Sequence, residues 1–420
     1  MECNKKVLML GMGKTGKAVC AFLQKRGASV ATFDDAFPRE AQDTLLSQKY
    51  DYAVVSPGIP KEHAALCRLK TNGVPILSEL DLAYINCPSK RIFAISGTNG
   101  KTTACTILHS LLSTVGRSHL VGNVGAPWIG EVERIRKRDF VVVEVSSFQI
   151  EQSQFFKPYV AALTNVGEDH LDRHLTRDRY QRIKLSLLEK ADIKVINRSD
   201  PAQKGVSGAI SYSVLDPAAD FYLTEGVIYH KDKKYKLEGG ARGAAYDLNY
   251  LCAFAMASVV LGVKKSFLSL YETIPVPPFR CQYVSKLCGA SVYNDSKGTN
   301  VDATLFAVRQ FSGSVTLILG GSDKGEDYAR LFSGLGANVR SILLTGANAW
   351  EMYLSAGDAV REKCRVLPDL DRCVRAFTEA TSDVLLFSPA SASFDRYANY
   401  EERGKRFNEI VAKYAATAQN

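Results

Sequence analysis

The chain has 420 residues, 46% hydrophobic and 23% charged; this composition excludes a disordered or fibrous protein, and the length predicts about three domains. Ten cysteines without a Cys-x-x-Cys pair or other metal-ligand spacing exclude a disulfide framework and favour the reducing cytoplasm. A net charge of +9, with no basic run interleaved with aromatics, sets nucleic acid aside and suits an anionic small molecule.

Lys5 and Lys6 precede only a short apolar stretch before Gly11, too short for a signal peptide. Up to residue 88, apolar runs at 7–10, 30–33 and 53–56 alternate with helical stretches near 16–26 and 61–71, the βαβ grammar of a parallel sheet. The first turn, Gly11-Met12-Gly13-Lys14-Thr15-Gly16, with Asp34 closing the second strand, is the arrangement that holds a dinucleotide. It fits any diphosphate, a nucleotide sugar included, and a glycine-tight turn without a ligand is the plain alternative. Ser56-Pro57-Gly58-Ile59-Pro60 follows the third strand on the ligand-bearing edge and by itself reads as a Pro-Gly turn.

Pro88 and Ser89 mark a domain boundary. A buried strand over 91–95 runs into Ser96-Gly97-Thr98-Asn99-Gly100-Lys101-Thr102-Thr103, and a helix reaches about residue 115. Strand, glycine-rich turn and Lys-Thr at a helix start form a phosphate cradle: backbone N–H groups hold phosphate oxygens, the lysine meets the terminal phosphates and the hydroxyl faces Mg²⁺. The strict P-loop has a glycine where this chain has Ile95. A second glycine turn, Val121-Gly122-Asn123-Val124-Gly125, precedes the apolar strand 140–144, which Glu144 ends. A carboxylate there either binds a cation, as the Mg²⁺ acid of nucleotide-binding sheets does, or sits exposed at the strand tip.

A strand over 161–166 runs into Gly167-Glu168-Asp169-His170-Leu171-Asp172-Arg173-His174. His170 and His174 have zinc-helix spacing, but Leu171 stands where a zinc hydrolase needs glutamate and no third ligand is placed, so zinc hydrolysis is rejected. Imidazole beside Mg²⁺ is uncommon, because Mg²⁺ prefers oxygen. Lys184, on the helical stretch 177–190, reads as one of several surface cations. Short runs at 221–224, 227–229 and 235–237 predict an antiparallel appendage, followed by a buried helix over 246–261. The apolar run 251–263 is shorter than a bilayer span, and Pro275, Pro277 and Pro278 end the domain.

The last third returns to βα alternation, with strands at 291–293, 315–319, 341–344 and 384–387. Three polar turns follow strand C-terminal ends: Asn294-Asp295-Ser296-Lys297-Gly298-Thr299-Asn300, Gly320-Gly321-Ser322-Asp323-Lys324-Gly325 and Ser388-Pro389-Ala390-Ser391-Ala392-Ser393-Phe394-Asp395. They should converge on one rim and suit an anion with several carboxylates or phosphates.

The Lys101 loop, Glu144-Val145-Ser146-Ser147-Phe148-Gln149 and Asn165 to Asp172 together resemble the ATP-dependent Mur ligases of peptidoglycan synthesis. The Asn294 and Ser388 turns, with Glu402-Arg403-Gly404, look like the branch that adds D-glutamate. The resemblance covers essentially the whole chain. It implies an α/β protein of three domains: a Rossmann-like N-terminal domain for the UDP substrate (1–88), a central P-loop-type ATPase domain with the antiparallel appendage (89–276), and a Rossmann-like C-terminal domain that brings the amino acid (277–420). It also implies that ATP phosphorylates a carboxylate, which the amine of D-glutamate then attacks, and that the protein is a cytoplasmic monomer acting on small molecules without membrane insertion.

Residue by residue, the resemblance assigns Lys101 to the transferring phosphoryl group and Thr102, Glu144 and His170 to two Mg²⁺ ions. Lys184 matches a lysine that CO₂ converts to a carbamate, an anion suited to Mg²⁺ where an ammonium is repelled. Gly97, Thr98, Asn99, Gly100, Lys101, Thr102 and Thr103, with Asn249, Arg280, Asp295 and Lys297, would hold ATP. Lys14, Thr15, Asp34, Asp35 and Gly58 would meet the uracil and diphosphate, and Asn123, Ser146 and Gln149 the muramoyl-alanine. Thr299, Lys324, Ser393, Phe394 and Tyr400 would form the D-glutamate pocket. Two positions depart from the family: Ala245-Tyr246 replaces a His-Asn pair near Asn249, and Ala36 stands where an arginine is usual.

A nicotinamide dehydrogenase accounts only for the Gly11 turn and Asp34, and a non-catalytic P-loop module has no use for Lys184 or Lys324. Another Mur-type or a folylpolyglutamate-type amino-acid ligase is the nearest alternative.

Overall fold

The computed structural model describes residues 3–167, 169, 171–239, 244–275, 277–378 and 382–417. The chain forms two compact units. The first holds two N-terminal sheets, and the second holds the C-terminal sheet together with Asp169 and the short helix Leu171–His174.

The first sheet has β1 (Lys6–Leu10), β2 (Ser29–Phe33), β3 (Tyr52–Val55) and β4 (Ile76–Ser78) in the parallel order β2-β1-β3-β4. Val7, Leu8, Met9 and Leu10 are all fully buried, as a strand covered on both faces requires.

The second sheet has nine strands: β5 (Ile92–Ser96), β6 (Ser118–Gly122), β7 (Phe140–Glu144), β8 (Val160–Leu163), β9 (Ile193–Asn197), β10 (Ile210–Ser213), β11 (Phe221–Thr224), β12 (Val227–His230) and β13 (Lys233–Lys236). Their order is β13-β12-β11-β10-β9-β8-β5-β7-β6. The three runs of the expected antiparallel appendage are β11, β12 and β13. β10 and β11 extend the parallel sheet, β12 runs antiparallel to β11, and β13 antiparallel to β12. Tyr212 on β10 explains the continuity, because its buried ring sends the hydroxyl back to the Leu163 carbonyl at 3.0 Å. The edge strand β13 carries Lys233, Lys234 and Lys236, charges that discourage further strand pairing.

The third sheet has β14 (Gln282–Leu287), β15 (Ala290–Asn294), β16 (Val315–Leu319), β17 (Val339–Leu344), β18 (Cys364–Val366) and β19 (Val384–Phe387) in the order β14-β15-β19-β16-β17-β18, parallel except for β14. Leu317, Leu319 and Leu386 pack into one layer, and Ile318, Leu385 and Phe387 into the other. This alternation between two covered faces is the doubly wound architecture. Among the described residues no helix is long and apolar enough to cross a membrane.

Candidate active site

β5 delivers the phosphate loop. Ile95 is fully buried within the strand, so the turn begins only at Gly97 and the extra glycine of the longer loop has no place. Gly97 has φ +147°, and a Cβ there would lie 1.9 Å from Thr164 Oγ1; Gly100 has φ +83°, and a Cβ there would collide with Asn249 Oδ1. Neighbouring segments pin the loop: Thr98 N donates to Asn165 O at 2.8 Å, Asn99 N to Asn165 Oδ1 at 2.9 Å, and Gly167 N to Thr98 Oγ1 at 2.9 Å. The helix Lys101–Ser113 then starts, with Thr102 half-buried and Thr103 buried in its first turn. Lys101 Nζ reaches back to the carbonyls of Gly97 (2.9 Å) and Thr98 (2.8 Å), across the mouth of the loop.

Glu144 is 2% exposed, so it is no solvated strand tip. Its Oε1 accepts from Asn123 Nδ2 at 2.8 Å, while Oε2 is buried without a hydrogen-bond partner. Lys184 corrects the surface reading. It is 1% exposed, because the helix Arg177–Glu189 turns Tyr180, Lys184, Leu187 and Leu188 onto the sheet. Its Nζ donates to Gly97 O at 2.8 Å and Ser96 Oγ at 3.3 Å and lies 4.9 Å above the Tyr180 ring. Lys101 and Lys184 thus share one carbonyl oxygen. Two like charges there repel each other.

These residues fit Mg²⁺. The ion binds through one or two carboxylates plus phosphate and keeps several waters, and Glu144 Oε2 is an orphaned acceptor on β7, opposite Ile95 of the strand that leads into the loop. Among the described residues no three His, Cys, Asp or Glu side chains form a metal cage, which is the arrangement Mg²⁺ does not need. His170, expected as a metal ligand, lies outside the described residues.

The residues expected on the UDP side lie in the same unit. Lys14, exposed at the start of the helix Lys14–Lys25, donates to Gly125 O at 3.0 Å, joining the first glycine turn to the second. Thr15 beside it is half-buried. Asp34 accepts from Ala36 N at 3.0 Å. Asp35 Oδ1 lies 3.1 Å from His63 Nε2, and Gly58 leaves open space where a side chain would stand. Ser146 caps the helix Ser147–Gln152 in a capping box with Gln149. Asn123, expected at the muramoyl-alanine, holds the Glu144 carboxylate as well.

In the second unit the three polar turns meet as their parallel strands require. Ser388 Oγ donates to Asp295 Oδ2 (2.7 Å), Ala390 N to Gly298 O (2.9 Å), Gly320 N to Pro389 O (2.9 Å) and Phe394 N to Ser322 Oγ (3.2 Å). Burial pushes the Asp295 carboxyl up to about 7, against the opposing pull of Ser388, the Cys281 N–H, Arg280 and Lys297. Lys297 Nζ sits 4.7 Å over the Tyr400 ring. Thr299 and Lys324 are half-buried and Ser393 is buried, whereas Phe394 is 73% exposed and points its ring to solvent. Asn249 and Tyr246 share the helix Ala244–Leu261 in the first unit, and Tyr246 is buried with its hydroxyl on Tyr271 O at 2.9 Å, a packing role.

One organising residue carries no role in the sequence reading. Arg403, 2% exposed, donates to Ser296 Oγ (3.1 Å), Ser296 O (2.8 Å), Ala392 O (2.8 Å) and Ser391 O (3.0 Å), tying the first polar turn to the third. Burial lowers its pKa to about 10. The Glu402-Arg403-Gly404 motif was the available signal.

Comparison with known proteins accords with this arrangement. Residues 95–257 match the Mur ligase middle domain and residues 279–391 the Mur ligase glutamate ligase domain. The UDP-N-acetylmuramoylalanine–D-glutamate ligase of Caldicellulosiruptor bescii is 30% identical, with 99% of each chain covered, and that of Geobacter metallireducens is 34% identical, with 97% of each covered. In fold, the chain is similar to the MurF ligase of Thermotoga maritima solved with ADP (TM-score 0.65, 16% identity, 99% of this chain and 96% of that one). It is also similar to the MurC ligase of that organism (TM-score 0.60, 16% identity, 99% and 100%). These structural relatives share the three-domain architecture. The chain belongs to the Mur ligase family, among the UDP-N-acetylmuramoylalanine–D-glutamate ligases.

Proposed function

We infer that this protein is an ATP-dependent, ADP-forming ligase that joins D-glutamate to UDP-N-acetylmuramoyl-L-alanine in peptidoglycan precursor synthesis. The observation that carries the reaction class is that Lys101 and Lys184 share the Gly97 carbonyl of one glycine-built phosphate loop, with the buried carboxylate of Glu144 on the neighbouring strand opposite Ile95. The full-length likeness to ligases of that name supports the substrates. A carboxylate is a poor electrophile. Its oxygen therefore attacks the γ-phosphorus of ATP, ADP leaves, and the resulting acyl phosphate offers phosphate as leaving group. The free amine of D-glutamate attacks that carbonyl, and the tetrahedral adduct collapses to amide and phosphate.

The chain's own residues hold the crowded anions in line. Lys101 leaves the Gly97 and Thr98 carbonyls for the transferring phosphoryl group. Glu144 and Thr102 would hold Mg²⁺, which neutralises phosphate charge, with His170 assigned to a second ion. Lys184 as a deprotonated amine would take up CO₂, forming Lys–NH–COO⁻ and releasing a proton; this would remove one of two like charges on the Gly97 carbonyl and offer an oxygen ligand suited to Mg²⁺. Gly97 to Thr103, Asn249, Arg280, Asp295 and Lys297 serve ATP, and Lys14, Thr15, Asp34, Asp35, Gly58, Asn123, Ser146 and Gln149 serve the UDP substrate. Thr299, Lys324, Ser393 and Tyr400 serve D-glutamate, with Phe394 at its rim. The domains run 1–88, 89–276 and 277–420, and the protein works as a cytoplasmic monomer on small molecules.

The acyl phosphate makes a direct test possible. With ¹⁸O in the L-alanyl carboxylate, one label should appear in the released phosphate. Phosphate free of label overturns the proposed route.

A further inference from the structure

The helix Glu79–Asn86 opens with two buried carboxylates. Asp81 has a plain structural task. Its oxygens accept from Ser78 Oγ, Ser153 Oγ and the N–H groups of Gln154, Phe155 and Phe156 at 2.7–2.9 Å, holding the turn that follows the helix Ser147–Gln152. Glu79, 3% exposed, instead accepts from a side chain, Gln149 Nε2, at 2.7 Å. A buried carboxylate is costly, and burial pushes this carboxyl up to about 7 even with the Gln149 bond opposing. Packing alone would be better served by an apolar or neutral side chain.

The amide of Gln149 explains what the carboxylate adds. Its Oε1 accepts from Ser146 N at 2.9 Å and from Ser146 Oγ at 3.1 Å, while Ser146 Oγ accepts from Gln149 N at 3.3 Å. The two ends of a side-chain amide are nearly alike in shape, so packing discriminates poorly between the two orientations. The Glu79 oxygen that faces Gln149 acts as an acceptor. Glu79 therefore draws the NH₂ end to itself and leaves the carbonyl facing Ser146, which directs the serine hydroxyl and its remaining lone pair.

We propose that Glu79 is a positioning residue for the UDP substrate, fixing Gln149 and through it Ser146 at the muramoyl-alanine end. The inference rests on the assignment of those two side chains to that end. Glu79 stands 70 residues before Gln149, on the segment that follows β4, so the contact also sets the first sheet against the second within their unit.

Steady-state kinetics on four single variants and one double variant test this. Glu79→Met matches the length and offers no acceptor; Glu79→Asp withdraws the carboxylate by one methylene and serves if the methionine variant fails to fold; Glu79→Gln keeps a carbonyl acceptor. The Met and Asp variants should raise KM for UDP-N-acetylmuramoyl-L-alanine about tenfold, leaving KM for ATP and D-glutamate within about twofold. Glu79→Gln should stay within about threefold of the parent, and Glu79→Met/Gln149→Ala should be no worse than Gln149→Ala alone. An unchanged UDP-substrate KM in the Glu79 variants while Gln149→Ala raises it, a uniform rise for all three substrates, or additive losses in the double variant overturns the role of Glu79. A Gln149→Ala variant with unchanged KM overturns the underlying assignment instead.

Discussion

Asp295→Asn should stabilise the protein, and only at neutral and alkaline pH. Asp295 is 8% exposed, and burial raises its carboxyl from 3.8 to about 7. An acid whose pKa rises on folding binds its proton more tightly in the native state. Between about pH 4 and pH 7 the native state keeps the proton and the unfolded chain has lost it, so stability falls as pH rises through that window and stays low above it. At ~1.4 kcal/mol per pH unit, the loss between pH 5 and pH 8.5 attributable to this group is about 2–3 kcal/mol. Asparagine keeps the acceptor for Cys281 N, and its amide can donate to Ser388 Oγ, which then turns its hydrogen to Thr304 Oγ1 at 2.9 Å. Urea unfolding followed by circular dichroism at both pH values gives the difference. The advantage of the variant over the parent should widen by about 2–3 kcal/mol from pH 5 to pH 8.5. Parallel pH profiles would refute the reasoning, because Asp295 would then be ionised at no cost.

Lys184→Ala should abolish ligation, and acetate or another small carboxylate should partly restore it by supplying the missing anion; full activity in the variant removes the carbamate. Glu144→Gln keeps the acceptor for Asn123 but loses the second carboxylate oxygen, so the Mg²⁺ concentration for half-maximal rate should rise at least tenfold, read from a Mg²⁺ titration. Gly97→Ala forces a side chain into φ +147° and against Thr164 Oγ1, which should cost at least ~2 kcal/mol in urea unfolding and remove ATP binding measured by calorimetry.

Four strands of the third sheet were legible, and β16 and β19, as unbroken apolar runs, lie where the pattern puts them. The phosphate loop was legible because its glycines are demanded by local backbone geometry. Lys184 was not, since its helix reads Arg177-Asp178-Arg179-Tyr180-Gln181-Arg182-Ile183-Lys184 and looks solvated. The signal lay in periodicity, for Tyr180, Lys184, Leu187 and Leu188 recur at helical spacing on one face. Glu79 was hidden for a different reason. Ser78-Glu79-Leu80-Asp81 has the look of an ordinary exposed helix start, and the partner that buries Glu79 is remote in sequence. Strands β4, β6, β9, β10, β14 and β18 were missed; of these β4, β14 and β18 are short, half-polar or placed at a sheet edge, where side-chain pattern is weak. Arg403 needed the meeting of two turns that only the sheet order brings together.

The central claim is that the phosphate steered by the Lys101 loop is spent on forming one particular amide. ADP release, measured with Mg²⁺ and ATP present, should require UDP-N-acetylmuramoyl-L-alanine and D-glutamate together. Equal stimulation when L-alanine or meso-diaminopimelate replaces D-glutamate would contradict it.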